Sequence, residues 1–193
     1  MISVDSYIGT FDLSGAALET QDKETVAVGK EPFALYGFQV EIPDNWRVEF
    51  NPKGSRKKGD IVFQSPQGNR IFVSWGPLDS AQKRFKTLDE QRDSSIARVK
   101  KGPDVKSLNV TDSREELIGG HRALISHVSA SVKAGFMARN AAEKDLWSVH
   151  FYCPNLSRYY VIYSLLRAPD EFENFSSLFN SMAKSFNCHP TQS

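Results

Sequence analysis

Cysteine is scarce. Cys153 and Cys188 are the only two in 193 residues. Two cannot build the disulfide framework of a small secreted scaffold. Two reduced thiols are the plainer reading. One bridge between them stays open, since Cys153 ends a predicted strand and Cys188 follows the last predicted helix. Long apolar runs are missing too: no stretch approaches the roughly 18 residues that a membrane-spanning helix needs. Met1–Gly15 carries neither the basic nor the apolar region of a secretory signal, so a cytoplasmic location is expected. Without a secretory route, the glycosylation-type matches at Asn109, Asn155 and Asn174 carry no meaning. Charge of one sign is not in excess. The 24 basic and 23 acidic residues leave a net +1, which argues against a dedicated nucleic-acid binder but not against a local patch. Catalytic signatures are lacking as well. No serine sits in a nucleophile elbow, and Gly119-Gly120 precedes a strand rather than a helix, so it cradles no phosphate. Of the adjacent carboxylates, Glu115-Glu116 splits to opposite faces of a strand, and Asp89-Glu90 lies on the wet side of a helix. No enzymatic activity, cofactor or metal is expected.

Aromatic residues are plentiful, with 13 Phe, 6 Tyr and 3 Trp. A chain of this length buries about 70% of its unfolded surface and needs no staples. The expected organisation is an N-terminal extension over 1–32, one domain over 33–188 and a tail over 189–193. The extension is poor in large apolar residues; a short strand (Ser6–Leu13) and a helical turn (Ser14–Thr20) are predicted in it. The clearest pattern is Gly37–Phe50. Phe38, Val40 and Ile42 alternate with polar or small neighbours, as do Trp46, Val48 and Phe50, which predicts two strands joined at Pro43-Asp44-Asn45. A second hairpin turns at Pro66–Asn69. A helix capped by Asp79 or Ser80 is predicted to run to about Lys101, with Phe85, Leu88, Ile96 and Val99 as its apolar stripe and Arg92 snorkelling at the edge. Val105–Ile118 is a polar strand near a sheet edge. Gly119-Gly120 makes a hairpin turn, and the next strand starts at His121. Trp147, Val149, Phe151 and Cys153 share one face of a strand that turns at Pro154-Asn155 into Tyr159–Leu166. A last helix carries Phe172, Phe175, Leu178, Phe179, Met182 and Phe186 on one side. Short turns and this order predict an α+β fold with an antiparallel sheet packed by helices. They do not suit a doubly wound nucleotide fold.

Tyr36, Gly37, Phe38, Val40, Ile42, Pro43 and Trp46, then Gly119–Ala123, then Tyr160 and Phe186, together resemble the PsbP-like superfamily. That superfamily includes the extrinsic PsbP subunit of photosystem II and a Ran-release-factor-like branch. The resemblance covers about residues 33–188. It implies a central antiparallel sheet sandwiched between helices, and a non-enzymatic accessory or adaptor role with protein partners. No catalytic residue comes with it.

Charge and ligand chemistry offer few candidates. His150 with Cys153 and Cys188-His189 has the letters of a zinc site. However, positions i and i+3 of a strand face opposite sides, so His150 and Cys153 are not expected to meet at one ion. His121 and His127 share the parity of another strand. Tyr159, Tyr160 and Tyr163 read as core and sheet surface rather than a base-stacking platform. The loop Asn51–Asp60 holds Lys53, Arg56, Lys57 and Lys58, the candidate anion or partner site. If it met the basic residues Lys83, Arg84, Lys86, Arg92, Arg98, Lys100 and Lys101 on one side, a basic surface would result. The functional expectation is a protein-binding accessory or adaptor. The alternative is a small-ligand or anion-binding domain using a sheet–helix cleft or this loop.

Overall fold

The computed structural model describes residues 25–27, 33–133, 141–165 and 172–189. The strand and turn expected at Ser6–Leu13 and Ser14–Thr20 lie outside the described residues. The elements are β1 (Thr25–Ala27), β2 (Phe33–Leu35), β3 (Phe38–Val40), β4 (Arg47–Phe50), β5 (Gly59–Gln64), β6 (Arg70–Pro77), α1 (Leu78–Gln82), α2 (Leu88–Lys100), β7 (Val105–Ile118), β8 (His121–Lys133), β9 (Ala141–Cys153), β10 (Arg158–Leu165) and α3 (Phe172–Ser185). Eight strands form one sheet in the order β1-β4-β5-β6-β10-β9-β8-β7, and β2 and β3 form a separate pair. Every pairing is antiparallel. The fold is therefore mostly antiparallel sheet with three helices among the described residues.

Three of the four predicted hairpins form: β5–β6, β7–β8 and β9–β10. Gly119 and Gly120 both have positive φ, 55° and 81°, which the two-residue turn between right-twisted strands requires. The polar strand β7 lies at the sheet edge, as its composition predicts. The first hairpin needs correction. β3 does not pair with β4. It pairs with β2 across Tyr36-Gly37, whose φ angles are 54° and 82°. β4 instead lies between β1 and β5. Asp44 and Asn45 do turn, with the Trp46 amide donating to the Pro43 carbonyl, but that turn carries the chain from the small pair to the large sheet. The burial pattern was still informative: Phe38, Val40, Ile42 and Trp46 are all buried.

The single helix predicted from about 79 to 101 also needs correction. It breaks at 83–87 into α1 and α2. Neither Asp79 nor Ser80 caps it. Pro77 precedes α1 without a side-chain cap, and the Thr87 hydroxyl accepts from the Glu90 amide to start α2. The buried side of α2 is Leu88, Gln91, Ser95 and Val99, steps of three, four and four that fit a helix. The apolar stripe had a gap because polar side chains fill its middle.

The largest core cluster lies between the sheet, β3 and α3. Phe38 stacks on Phe186 at 4.9 Å, and Phe151 on Tyr160 at 5.1 Å. Burying each such ring contributes roughly 1.5–3 kcal/mol. From α3, Phe175, Phe179 and Met182 join Trp147, Val149 and Phe151 of β9. Leu146, next to Trp147 and of opposite parity, clusters instead with Val99 of α2 and with Val128, Ala130 and Val132 of β8. Ala81 of α1 packs with Tyr159, Val161 and Tyr163. β9 is thus buried on both of its faces, which explains why Ser148 and His150 are buried as well.

Candidate functional site

The basic loop is built, not slack. The Asn51 side chain donates to Asp60 Oδ1 at 2.8 Å and accepts from the Lys53 amide at 3.0 Å. The Ser55 amide donates to the Lys58 carbonyl at 2.9 Å, and Trp75 Nε1 donates to the Ser55 carbonyl at 2.9 Å. A methyl group at Gly59 would stand 2.7 Å from Trp75 Cζ2, so the loop can re-enter the sheet only where a side chain is missing. Lys53, Arg56, Lys57 and Lys58 are all exposed on it. Arg56 also borders a shallow cleft of about 430 Å³ shared with Ala34, Leu35, Tyr36, Gly37 and Phe38.

The α2 part of the wider basic surface is set apart from the loop. α2 contacts β7, β8 and β9, and β6 and β10 separate these strands from β5, where the loop ends. The charges of α2 also have acidic neighbours. Arg92 meets Asp93 at 2.7 Å and donates to Ser113 Oγ at 3.1 Å, while Asp89 receives Arg122 at 3.3 Å. Glu115 and Glu116 do face opposite ways. Glu115 pairs with Arg122 at 2.9 Å, and Glu116 with Arg114 at 2.9 Å and Lys184 at 3.5 Å.

The tyrosines belong to the interior. Tyr160 packs among Phe38, Phe151 and Phe186, and burial pushes its phenol up to about 12. Burial likewise raises Tyr159 and Tyr163. Beside Tyr160, Arg158 Nη1 donates to the Tyr36 carbonyl at 2.7 Å and to Tyr160 Oη at 3.3 Å. It clamps the β2–β3 turn to β10, a role with no local sequence signal.

His150 points toward α2. It is fully buried, with Nε2 3.3 Å from Ser95 Oγ. Burial, then the nearby Arg92 charge, holds its imidazole down at about 3. It does not approach Cys153, as strand parity predicts. His127 lies far along β8, between Thr111 Oγ1 at 2.6 Å and Asp145 Oδ1 at 2.8 Å, stacked on Trp147.

A different histidine completes the cysteine cluster. The ligand atoms of His121, Cys153, Cys188 and His189 all lie within 4.8 Å of one another. Register explains the first two. Ala123 pairs with Phe151, and continuing by two residues sets His121 opposite Cys153 on the same face. The last two come from the segment after α3. It is held by a two-way backbone bridge between Asn187 and Gln39, both bonds 2.8 Å, and it bends at Cys188 and His189. Cys188 Sγ is 2.9 Å from Cys153 Sγ, and both cysteines are buried. The His121 and His189 rings meet edge-on at 5.3 Å. His121 Nε2 is buried without a hydrogen-bond partner, and burial, then His189, lowers the basicity of that ring. Two thiols and two imidazoles are a donor set suited to a tetrahedral ion.

No known family profile matches the chain, and no curated protein does. Among solved structures the chain is similar to the solution structure of cyanobacterial PsbP (CyanoP) from Synechocystis sp. PCC 6803. The identity is 14% and the TM-score 0.48, over 89% of this chain and 95% of that chain. The likeness is one of backbone course. No described helix is long and apolar enough to cross a membrane.

Proposed function

We propose that this chain is a non-catalytic accessory or adaptor protein, a sheet sandwiched between helices that recognises a protein partner along β7. The observation that carries the reading is the free side of that strand. β7 is fourteen residues long and ends the sheet, and no described strand pairs with its outer side. Such an edge offers a row of backbone donors and acceptors to an incoming strand. Leu117 is 73% exposed and Val110 44%, and both share the side-chain parity that pairs with Arg122 and Val128 of β8. An extended partner laid along β7 would find apolar side chains beside its backbone ladder. Lys106, Asp112 and Glu115 along the strand discourage indiscriminate pairing.

Cross-linking in cells, with the linked peptides mapped, tests this. The expected links radiate from Lys106 and its neighbours. The Val110→Lys, Leu117→Lys double variant should fold normally and lose the partner. Links that avoid β7, or turnover of a metabolite by the isolated protein, would end the reading. Anion binding at the loop is the second reading, favoured by Arg56 beside the Tyr36 cleft. A phosphate titration followed by amide shifts of residues 53–58 separates the two; shifts that vanish in Arg56→Ala would support it.

A further inference from the structure

We propose that His121, Cys153, Cys188 and His189 bind one zinc ion, which fastens the segment after α3 to the ends of β8 and β9. Three separate stretches of chain deliver the four donors. The strand register brings His121 to Cys153. The Asn187–Gln39 bridge brings Cys188 and His189. The Asn187 side chain accepts from the His189 amide at 3.1 Å, fixing the bend that lets adjacent residues turn to one point.

A disulfide is the competing use of the two cysteines. Its sulfurs would have to close from 2.9 Å to about 2.05 Å. It would leave two imidazoles crowded against the bridge, one with a buried, unpartnered nitrogen. In a tetrahedral zinc site with Zn–S near 2.3 Å the sulfurs stand roughly 3.8 Å apart. Zinc binding thus requires the sulfurs to separate by about 0.9 Å from their 2.9 Å spacing, and it gives all four side chains a partner. Two thiolates and two imidazoles suit zinc better than magnesium or calcium, which take oxygen ligands. Binding involves no electron transfer: each thiol that becomes a ligand gives its proton to solvent. His189 is exposed and Cys188 buried, so the ion would enter from the His189 side.

The full chain, reduced and stripped with a chelator, is titrated with zinc against a chromophoric competitor. One ion per chain is expected. Cobalt(II) in its place should give thiolate-to-metal charge transfer and the intensified visible bands of a tetrahedral site. Zinc should slow alkylation of both cysteines, and chelator should restore it, a readout that needs no variant. Cys153→Ser and His121→Asn should each weaken binding by more than the roughly 10–100-fold that loss of an outer-sphere partner costs. His150→Asn should leave it unchanged. The proposal is overturned if the reduced wild type binds no zinc, or if binding survives both ligand variants. It is equally overturned if cobalt shows no thiolate band.

Discussion

His150 shows how much one side chain can set. Its imidazole is neutral in the folded chain, with the group depressed to about 3 by burial and Arg92, whereas an unfolded histidine titrates near 6.5. Between those values the unfolded chain binds a proton that the folded chain refuses. Stability therefore falls as pH drops through that window, by up to about 1.4 kcal/mol per pH unit. Urea unfolding with chelator present, from about pH 7 to about pH 4, should show a shallower decline in His150→Gln than in wild type; parallel curves would exclude His150 as the cause. Gly59 acts by having no side chain. The Gly59→Ala methyl would press on the Trp75 ring at 2.7 Å, and a cost of about 1–3 kcal/mol is expected from such overpacking. A shift of the urea midpoint measures it, and an unchanged midpoint would mean that the indole yields freely.

At the scale of elements, α2 and the segment after α3 hold different kinds of information. Thr87-Leu88-Asp89-Glu90 has the letters of a capping box, but the reciprocal bond is displaced by one residue. Thr87 Oγ1 accepts from the Glu90 amide, while Glu90 Oε2 accepts from the Lys86 amide at 2.7 Å. Thr87→Ala should cost about 1 kcal/mol, seen as a lower melting temperature with local loss of amide protection in the first turn of α2. Protection lost evenly across the chain would argue against a local cap. Phe186, just past α3, touches Phe38, Phe151 and Tyr160. Phe186→Ala should cost about 3–5 kcal/mol by equilibrium denaturation; a cost under about 1 kcal/mol would mean the core closes over the gap.

These elements also show what the sequence could and could not convey. Period-two alternation marked β5, β6, β9 and β10, and glycine pairs marked the β7–β8 turn, because strand parity and left-handed turns are local. The pairing of β3 is not legible because alternation says which face is buried and nothing about which neighbour lies alongside. The helix break is not legible because Phe85 and Leu88, three residues apart on either side of Thr87, suit one unbroken helix as well as two. Ser95 looks solvated until the sheet presents His150 to it. His121 and Cys153, 32 residues apart in sequence, become neighbours only through the β8–β9 register.

For the whole molecule, the order in which parts become available matters. The Glu41 amide donates to Ser185 Oγ across 144 residues of sequence, and Gln39 exchanges its backbone bonds with Asn187. During synthesis the β2–β3 pair emerges early, and the side of Phe38 that stacks on Phe186 can be covered only after that residue has left the ribosome. Contacts that close so late carry a large loop entropy and slow the final step. Nascent chains arrested before Asn187 emerges should leave Phe33–Val40 open to protease, and chains arrested well beyond it should not. Equal resistance at both lengths would show that β3 is secured earlier by other contacts. A protein closed this way is checked by a late-made segment: until that strap is in place, shorter nascent chains keep an aromatic surface showing, and quality-control factors have something to bind.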